Sequence, residues 1–181
     1  MTCSIPEPSE PTTTVPPVPS HRMRGTRSLA QMTTIGVGGP VASVVNATSE
    51  AEIIDAITQA DAEGTPVIVI GGGSNILASD EPFDGVVVRD TRTEITELMD
   101  DGCGGAEMRI TAGTPWDDAV VFAVEHGWMG IEALSGIPGS VGAAPVQNIG
   151  AYGQELAETL AAVRVYDRAT KATRTFFLSD M

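Results

Sequence analysis

Positive charge is scarce in this 181-residue chain, which carries 10 Lys and Arg against 24 Asp and Glu for a formal net charge of −14. A chain this acidic lacks the basic face needed to hold nucleic acid or an anionic membrane surface, so neither partner is expected. Aromatic residues make up only 4%, which leaves Val, Ile, Leu and Ala to build the core. Cysteine is confined to Cys3 and Cys103, so there is no disulfide framework and no CxxC metal pair, and no metal site is expected. No window approaches the roughly 20 apolar residues of a membrane span. The N-terminus has neither a basic leader nor a following apolar stretch, so it does not read as a signal peptide and a soluble cytoplasmic protein is expected. Against these absences stand a 42% hydrophobic content, enough for a buried core, and 20 glycines. Many of those glycines are clustered, and the clusters are the main clue.

Residues 1–27 hold half of the 12 prolines, many Ser and Thr, and a small basic group of Arg22, Arg24 and Arg27. Such a segment buries too little apolar area to offset its ordering entropy, and a disordered tail is expected there, with no bridge from Cys3 to Cys103. From Ser28 the texture changes. The β-branched run Val41–Asn46 reads as a strand. Ser49 with Glu52 forms a capping box, opening a helix with Ile53, Ile54, Ile57 and Ala60 on one face and Gly64 at its end. Val67–Ile70 (VIVI) is continuously apolar, as in a strand buried on both faces, and Val86–Arg89 is a further short strand. This is a βαβ-type unit with glycines directly after its second strand. Met108–Ala112 reads as another strand, and Asp100-Asp101 as a turn. Thr114 is placed as the cap of a second helix with Pro115 at its first position. Ala119, Val120, Ala123 and Val124 form that helix's apolar stripe, and Gly127 ends it. Ala162–Tyr166 and Thr173–Phe177 read as a hairpin around Arg168–Lys171.

Two glycine clusters could carry chemistry. In Gly71-Gly72-Gly73-Ser74-Asn75, three glycines after an apolar strand let the backbone turn sharply and present consecutive N–H groups to an anion, with Ser74 and Asn75 as further donors. An isolated tight turn explains the same three glycines. A P-loop is excluded, since no Lys precedes Lys171, and the GxGxxG dinucleotide fingerprint is absent. Ser135–Gly153 packs five glycines and two prolines into 19 residues and carries no charged residue. A loop of this length inside a domain is usually functional or disordered. Disorder fits poorly, because Ile137, Val141, Val146, Ile149 and Leu156 are spaced along it as anchors. An ordered, neutral, glycine-dense segment suits the lining of a planar cofactor, and an irregular packed loop is the alternative. Between Ser28 and Val163 the basic residues are Arg89, Arg92 and Arg109, so a bound diphosphate would rely on main-chain N–H groups and helix N-termini. His126 reads as a helix C-terminal histidine serving the dipole, Asp117-Asp118 as first-turn carboxylates, and Trp116, Trp128 and Tyr166 as core or rim.

Thr33–Gly39 (TTIGVGG), Val67–Leu77 (VIVIGGGSNIL) and Gly130–Leu156 (GIEALSGIPGSVGAAPVQNIGAYGQEL) closely resemble the UDP-N-acetylenolpyruvoylglucosamine reductases, the UDP-N-acetylmuramate dehydrogenases of bacterial peptidoglycan synthesis and cell-wall biogenesis. The likeness covers roughly residues 28–181. It implies an α+β chain with the two-subdomain FAD-binding fold of vanillyl-alcohol oxidase-like proteins, its subdomains being residues 28–92 and 93–181. It also implies a flavoprotein oxidoreductase with FAD as cofactor, NADPH as reductant, a UDP-sugar as substrate and a monomeric state. Carried over by position, the FAD diphosphate falls to Gly71, Gly72, Gly73, Ser74 and Asn75. The flavin and adenosine portions fall to Ile137, Pro138, Gly139, Ser140, Gly142, Ala143, Ala144, Gln147, Asn148, Gly150, Ala151 and Tyr152, with Ile35 and Gly36 in an opening segment that also approaches the cofactor. The family reaction reduces FAD with NADPH, passes hydride to the enolpyruvyl double bond, and protonates the resulting enol. Its Arg, its Ser or Cys proton donor and its Glu have no counterpart in these 181 residues, and no catalytic residue is expected here. The expectation is therefore a chain that holds FAD without completing the reduction. The alternative is an FAD-binding module or another flavin oxidoreductase of the same fold, such as a sugar-lactone oxidase. Those oxidases attach FAD through a His beside the glycine loop, and GGGSN has none.

Overall fold

The computed structural model describes residues 27–101 and 105–180. The expected tail, apart from Arg27, and both cysteines lie outside the described residues. After a short 3-10 turn at Leu29–Gln31, strand β1 (Val41–Ala47) leads into helix α1 (Glu50–Glu63), followed by β2 (Val67–Val69) and β3 (Phe83–Asp90). The Ser49 hydroxyl caps α1 by accepting from the Glu52 N–H at 3.2 Å. The reciprocal half of the box differs from expectation, because the Glu52 carboxylate reaches past Ser49 to the N–H of Thr48 at 2.7 Å. Gly64 closes the helix in the left-handed region at φ 68°, a conformation glycine adopts without steric cost.

The three strands form a parallel sheet in the order β1-β3-β2. The central strand is therefore β3, whose Val87 and Val88 are fully buried. The VIVI run is not a strand covered on both faces. It occupies the sheet edge with Val69 60% exposed, and only Ile70, past the strand end, is buried. Strand propensity is local, whereas the order of strands is set by what packs on them, and a short apolar run cannot declare its place in a sheet. Leu29, Val41, Ile70 and Val87 form the core of this half, with Met32, Ile76 and Phe83 packed against it.

The second half opens with an antiparallel hairpin of β4 (Ile95–Asp101) and β5 (Gly105–Ile110). Asp100 belongs to β4 opposite Ala106, not to a turn, because cross-strand pairing overrides the weak strand preference of an acidic run. Helix α2 spans Trp116–Glu125. Pro115, not Thr114, is its cap residue. Thr114 is 1% exposed, and its hydroxyl shares a 3.0 Å hydrogen bond with that of Thr111. Trp116, Val120 and Ala123 bury one face of α2 against Ile131, Leu134, Ala144, Ile149 and Leu156. Val124, expected in that stripe, is 54% exposed, because the core face of α2 is shifted toward Trp116. The His126 ring contacts the Phe122 carbonyl at 2.7 Å, as expected of a histidine at a helix C-terminus.

Ser135–Gly153 is ordered. It contains a 3-10 stretch, Val141–Gln147, and β6 (Gly150–Ala151), which pairs with β7 (Gln154–Glu155). Of its expected anchors, Ile149 and Leu156 are buried and Ile137 and Val141 pack on the core, but Val146 is 87% exposed. The chain closes with the expected hairpin, β8 (Ala162–Asp167) and β9 (Ala172–Phe177). This hairpin lies against α1 through ion pairs Arg164–Glu50 and Arg168–Asp61 and a 3.0 Å hydrogen bond between the Tyr166 and Thr58 hydroxyls.

Candidate functional site

The glycine segment Gly71–Asn75, which leaves β2 through Ile70, meets the first half of the Ser135–Gly153 segment. A Cβ at Gly71 would overlap the Ser140 hydroxyl, and one at Gly72 would lie 2.9 Å from Gly139 Cα. The backbones therefore touch where any larger residue would separate them. Gly73 is buried with φ 69°, and a Cβ there would overlap the Met32 carbonyl. The Gly73 carbonyl accepts from Thr34 N–H at 3.0 Å, which draws the opening segment containing Ile35 and Gly36 to the same place. Two side chains complete the junction. The Ser74 hydroxyl donates to the Pro138 carbonyl at 3.2 Å, and Asn75 Nδ2 donates to Gln147 Oε1 at 2.6 Å across 72 residues of chain.

A third segment was missed by sequence reasoning. Trp116 N–H donates to the Gly139 carbonyl at 3.0 Å, Val141 N–H to Thr114 at 2.9 Å, and Gly142 N–H to Ala112 at 2.9 Å. The stretch from β5 to α2 is thus spliced along Gly139–Gly142. The small, neutral run Thr111-Ala112-Gly113-Thr114 was the available signal. Asp117 also does more than serve the dipole of α2: its carboxylate accepts from the Ser135 hydroxyl at 2.9 Å and the Gly136 N–H at 2.7 Å, fixing where the long loop begins.

The remaining residues carried over by resemblance divide by environment. Ile137 packs on the core, Ala143 is exposed, and Ala144 is 3% exposed within the hydrophobic cluster. Both ends of the Asn148 amide are occupied within the loop, donating to Glu155 at 2.9 Å and accepting from Ala157 N–H at 2.9 Å. Gly150 and Ala151 form β6, and Tyr152 at the tip of the β6–β7 hairpin is 95% exposed. Glu132 braces that hairpin. The Gly130 N–H at 2.6 Å is the main reason its carboxyl sits below the usual carboxylate range, helped by the Gln154 amide.

The electrostatic character of the junction is distinctive. Among the described residues, no main-chain N–H from Gly71 through Asn75 has an acceptor in the chain, and neither do those of Gly139 and Ser140. Of these residues Gly73 and Ser140 are buried and Gly71, Ser74 and Gly139 half-buried, whereas Gly72 and Asn75 are exposed. N–H groups in covered residues are normally paired, so those without an acceptor are donors open to a ligand. No ionised side chain lies within Gly71–Asn75 or Ala133–Gln154. Among the described residues no group of three or more His, Cys, Asp or Glu is placed to hold a metal, and no helix is long and apolar enough to cross a membrane.

Comparison with known proteins gives this geometry its family. The model of the FAD binding domain matches residues 41–175. The chain belongs to the FAD-binding domain family. Within that family, UDP-N-acetylenolpyruvoylglucosamine reductase of Cutibacterium acnes is 47% identical over 148 residues, covering 82% of this chain and 39% of that protein. The enzyme of the same name from Nocardia farcinica is 49% identical over 146 residues, covering 81% and 36%. The crystal structure of the corresponding reductase from Thermus caldophilus superposes with a TM-score of 0.64 at 28% identity, over 84% of this chain and 52% of that one. A solvent-stable cholesterol oxidase superposes at 0.61 with 18% identity over 83% and 32%, a likeness of fold alone. The resemblance seen in the sequence therefore holds, and so does the α+β FAD-binding fold of the vanillyl-alcohol oxidase-like type. This FAD-binding domain spans about two fifths of the length of the curated relatives it matches.

Proposed function

We propose that this chain is the FAD-holding part of an NADPH-dependent oxidoreductase that converts UDP-N-acetylenolpyruvoylglucosamine to UDP-N-acetylmuramate in the cytoplasm. The observation that carries the reading is the run of N–H groups at Gly71–Asn75 without an acceptor among the described residues, joined by those of Gly139 and Ser140, in segments that carry no cationic side chain. Oriented main-chain N–H groups are the established way for a protein to hold a diphosphate without lysine or arginine. Two further features fit a flavin dinucleotide. The close backbone approach at Gly71 and Gly72 leaves no side chain over the donors, and exposed apolar side chains at Ile35, Leu77 and Val146 offer surface to an aromatic ring system. Bound FAD would supply hydride acceptance from NADPH and hydride delivery to the substrate.

In this reading the glycine segment grips the diphosphate, Pro138–Ser140 with Ala143 and Gln147 borders the flavin, and the Thr111–Trp116 segment holds Gly139–Gly142 in place. Ala144 and Asn148 contribute by keeping the loop folded, one through the core and the other through its two hydrogen bonds. Assayed alone, the 181-residue chain takes up FAD but does not turn over, since its sequence has no counterpart of the family's Arg, Ser or Cys, and Glu. The test is direct. The purified chain, dialysed against FAD, should carry a flavin absorbance band and quench flavin fluorescence stoichiometrically, yet yield no muramate from NADPH and the enolpyruvyl sugar. A colourless protein would overturn the cofactor assignment, and muramate formation would overturn the inactivity of this chain.

A further inference from the structure

Strand β3 ends on a covered ion pair that lies outside both glycine-rich segments. Asp90, its last residue, has a side chain only 9% exposed. Its carboxylate takes the Arg92 guanidinium at two points, Nε at 2.9 Å and Nη2 at 2.7 Å. The same carboxylate accepts from the Arg92 N–H at 3.0 Å, which closes the turn Asp90–Arg92 on itself. Burial alone would raise the Asp90 carboxyl, yet the Arg92 groups outweigh it and hold the carboxyl below its ordinary range, with the Gly113 N–H adding to them. The Thr91 N–H and hydroxyl both donate to the Ala47 carbonyl at 2.8 Å, fastening the turn to the end of β1.

Gly113 is seated against this turn. A Cβ on it would overlap the Asp90 carbonyl oxygen and lie 2.7 Å from that of Arg92. Its neighbours Ala112 and Thr114 supply the carbonyls to which the Gly142 and Val141 N–H groups donate. Two routes therefore leave the end of β3. One runs from the Val88 carbonyl through the Ile70 N–H, at 3.0 Å, to Gly71. The other runs from Asp90 and Arg92 through Gly113 to Gly139–Gly142. They meet again where Gly71 touches Ser140, so the ring is closed and a shift at the turn changes the spacing there.

We propose that Asp90 is a positioning residue for the cofactor: with Arg92 it fixes the turn that sets the Gly139–Gly142 backbone at its distance from Gly71–Asn75. The inference rests on the FAD reading above and adds to it a pair remote from the N–H donors. Among the described residues neither side chain hydrogen-bonds to a glycine-rich segment, so the pair acts through Gly113.

The variants Asp90→Ala, Arg92→Ala and their double test this, with Arg168→Ala, which cuts an ion pair on the β8–β9 seam, as control. FAD is titrated in the cold, where circular dichroism shows each variant folded. Either single variant should bind about tenfold more weakly, the scale of coupling between remote positions. The double should bind little worse than either, because one brace is lost once. Arg168→Ala should keep wild-type affinity. A second readout needs no ligand: the Val141 and Gly142 amides should exchange faster in Asp90→Ala, while Ile70, on the other route, stays as slow as in the wild type. A merely stabilising ion pair would lower the melting temperature and leave affinity and the exchange pattern unchanged. That result, additive single effects, or equal acceleration at Ile70 would overturn the proposal. Should Asp90→Ala not fold, Arg92→Ala carries the same two readouts. If the wild-type chain takes up no FAD, the cofactor reading fails by itself, and exchange at Val141 and Gly142 still decides whether Asp90 spaces the segments.

Discussion

The junction of Gly71–Asn75 with Pro138–Gln147 involves no charged side chain, whereas the β8–β9 hairpin is tied to α1 by Arg164–Glu50, Arg168–Asp61 and the Thr58–Tyr166 hydroxyl pair. Both contacts join residues far apart in the chain, and they do so by opposite means. The first relies on missing side chains, which let backbones approach and leave N–H groups open. The second relies on long charged side chains reaching across a solvent-exposed seam. Of the 10 cations in the chain, Arg164, Arg168, Lys171 and Arg174 all lie in the hairpin region. Two of these cations, Arg164 and Arg168, hold the acidic helix α1, whereas the glycine-rich segments of the candidate ligand site carry only neutral dipoles. A neutral donor site is specific in geometry and little affected by salt. A charged seam forgives geometry but weakens as ionic strength rises.

The largest expected effect comes from breaking the neutral junction. Gly73→Ala places a methyl onto the Met32 carbonyl at a residue with φ 69°. The clash is with backbone and cannot be relieved by a rotamer, so a loss of about 3 kcal/mol in urea unfolding is expected, together with loss of flavin retention. Retention of both would mean that the close approach is not required.

A salt series sharpens the contrast next. Between 0.05 and 0.5 M NaCl, at about 14 Å falling to about 4 Å of screening length, hydrogen exchange in β8 and β9 should accelerate. FAD affinity should change by less than about twofold over the same range, because no ion pair holds the diphosphate. A steep salt slope for FAD would point to a cation at the site and break the comparison.

Acid should act on the charged seam in the same direction. The Arg168 hydrogen bond is the main reason the Asp61 carboxyl sits below its ordinary value of 3.8. A carboxyl whose folded value is depressed contributes stability that is complete above the unfolded value and lost as pH falls through the folded one. The hairpin should therefore loosen below about pH 3.8, followed by NMR of the β8–β9 amides. Arg168→Ala should weaken the seam at neutral pH and remove most of that acid-dependent step, because the Asp61 carboxyl loses the main partner that holds it below its ordinary value. Smallest of all is Tyr166→Phe, which deletes the partner of the Thr58 hydroxyl at a half-buried site. It should cost about 1 kcal/mol in thermal or urea unfolding, with FAD binding unchanged.

Much of the local structure was legible because its causes are local. β-branched residues at 41–46 make a strand, and Ser49 caps a helix that Gly64 ends, whatever lies elsewhere in the chain. The glycine clusters stood out because few segments combine so many glycines with no charge. Three readings failed where the deciding partner was remote. The VIVI run became an edge strand because β3, sixteen residues further on, took the centre of the sheet. Asp100 joined a strand because Ala106 pairs with it. Thr114 turned away from the helix it precedes because Thr111 and the Gly139–Gly142 backbone occupy its groups.

The amino-acid order alone determined where the backbone would be bare, where it would be helical or extended, and that any anion would be met without lysine. It could not determine which bare stretch would face which. That Gly71 meets Ser140, that Asn75 meets Gln147, and that the hairpin's arginines find Glu50 and Asp61 are facts of the tertiary structure. The physical reason is that pairing energies between remote segments depend on how the whole core packs, which no local propensity encodes.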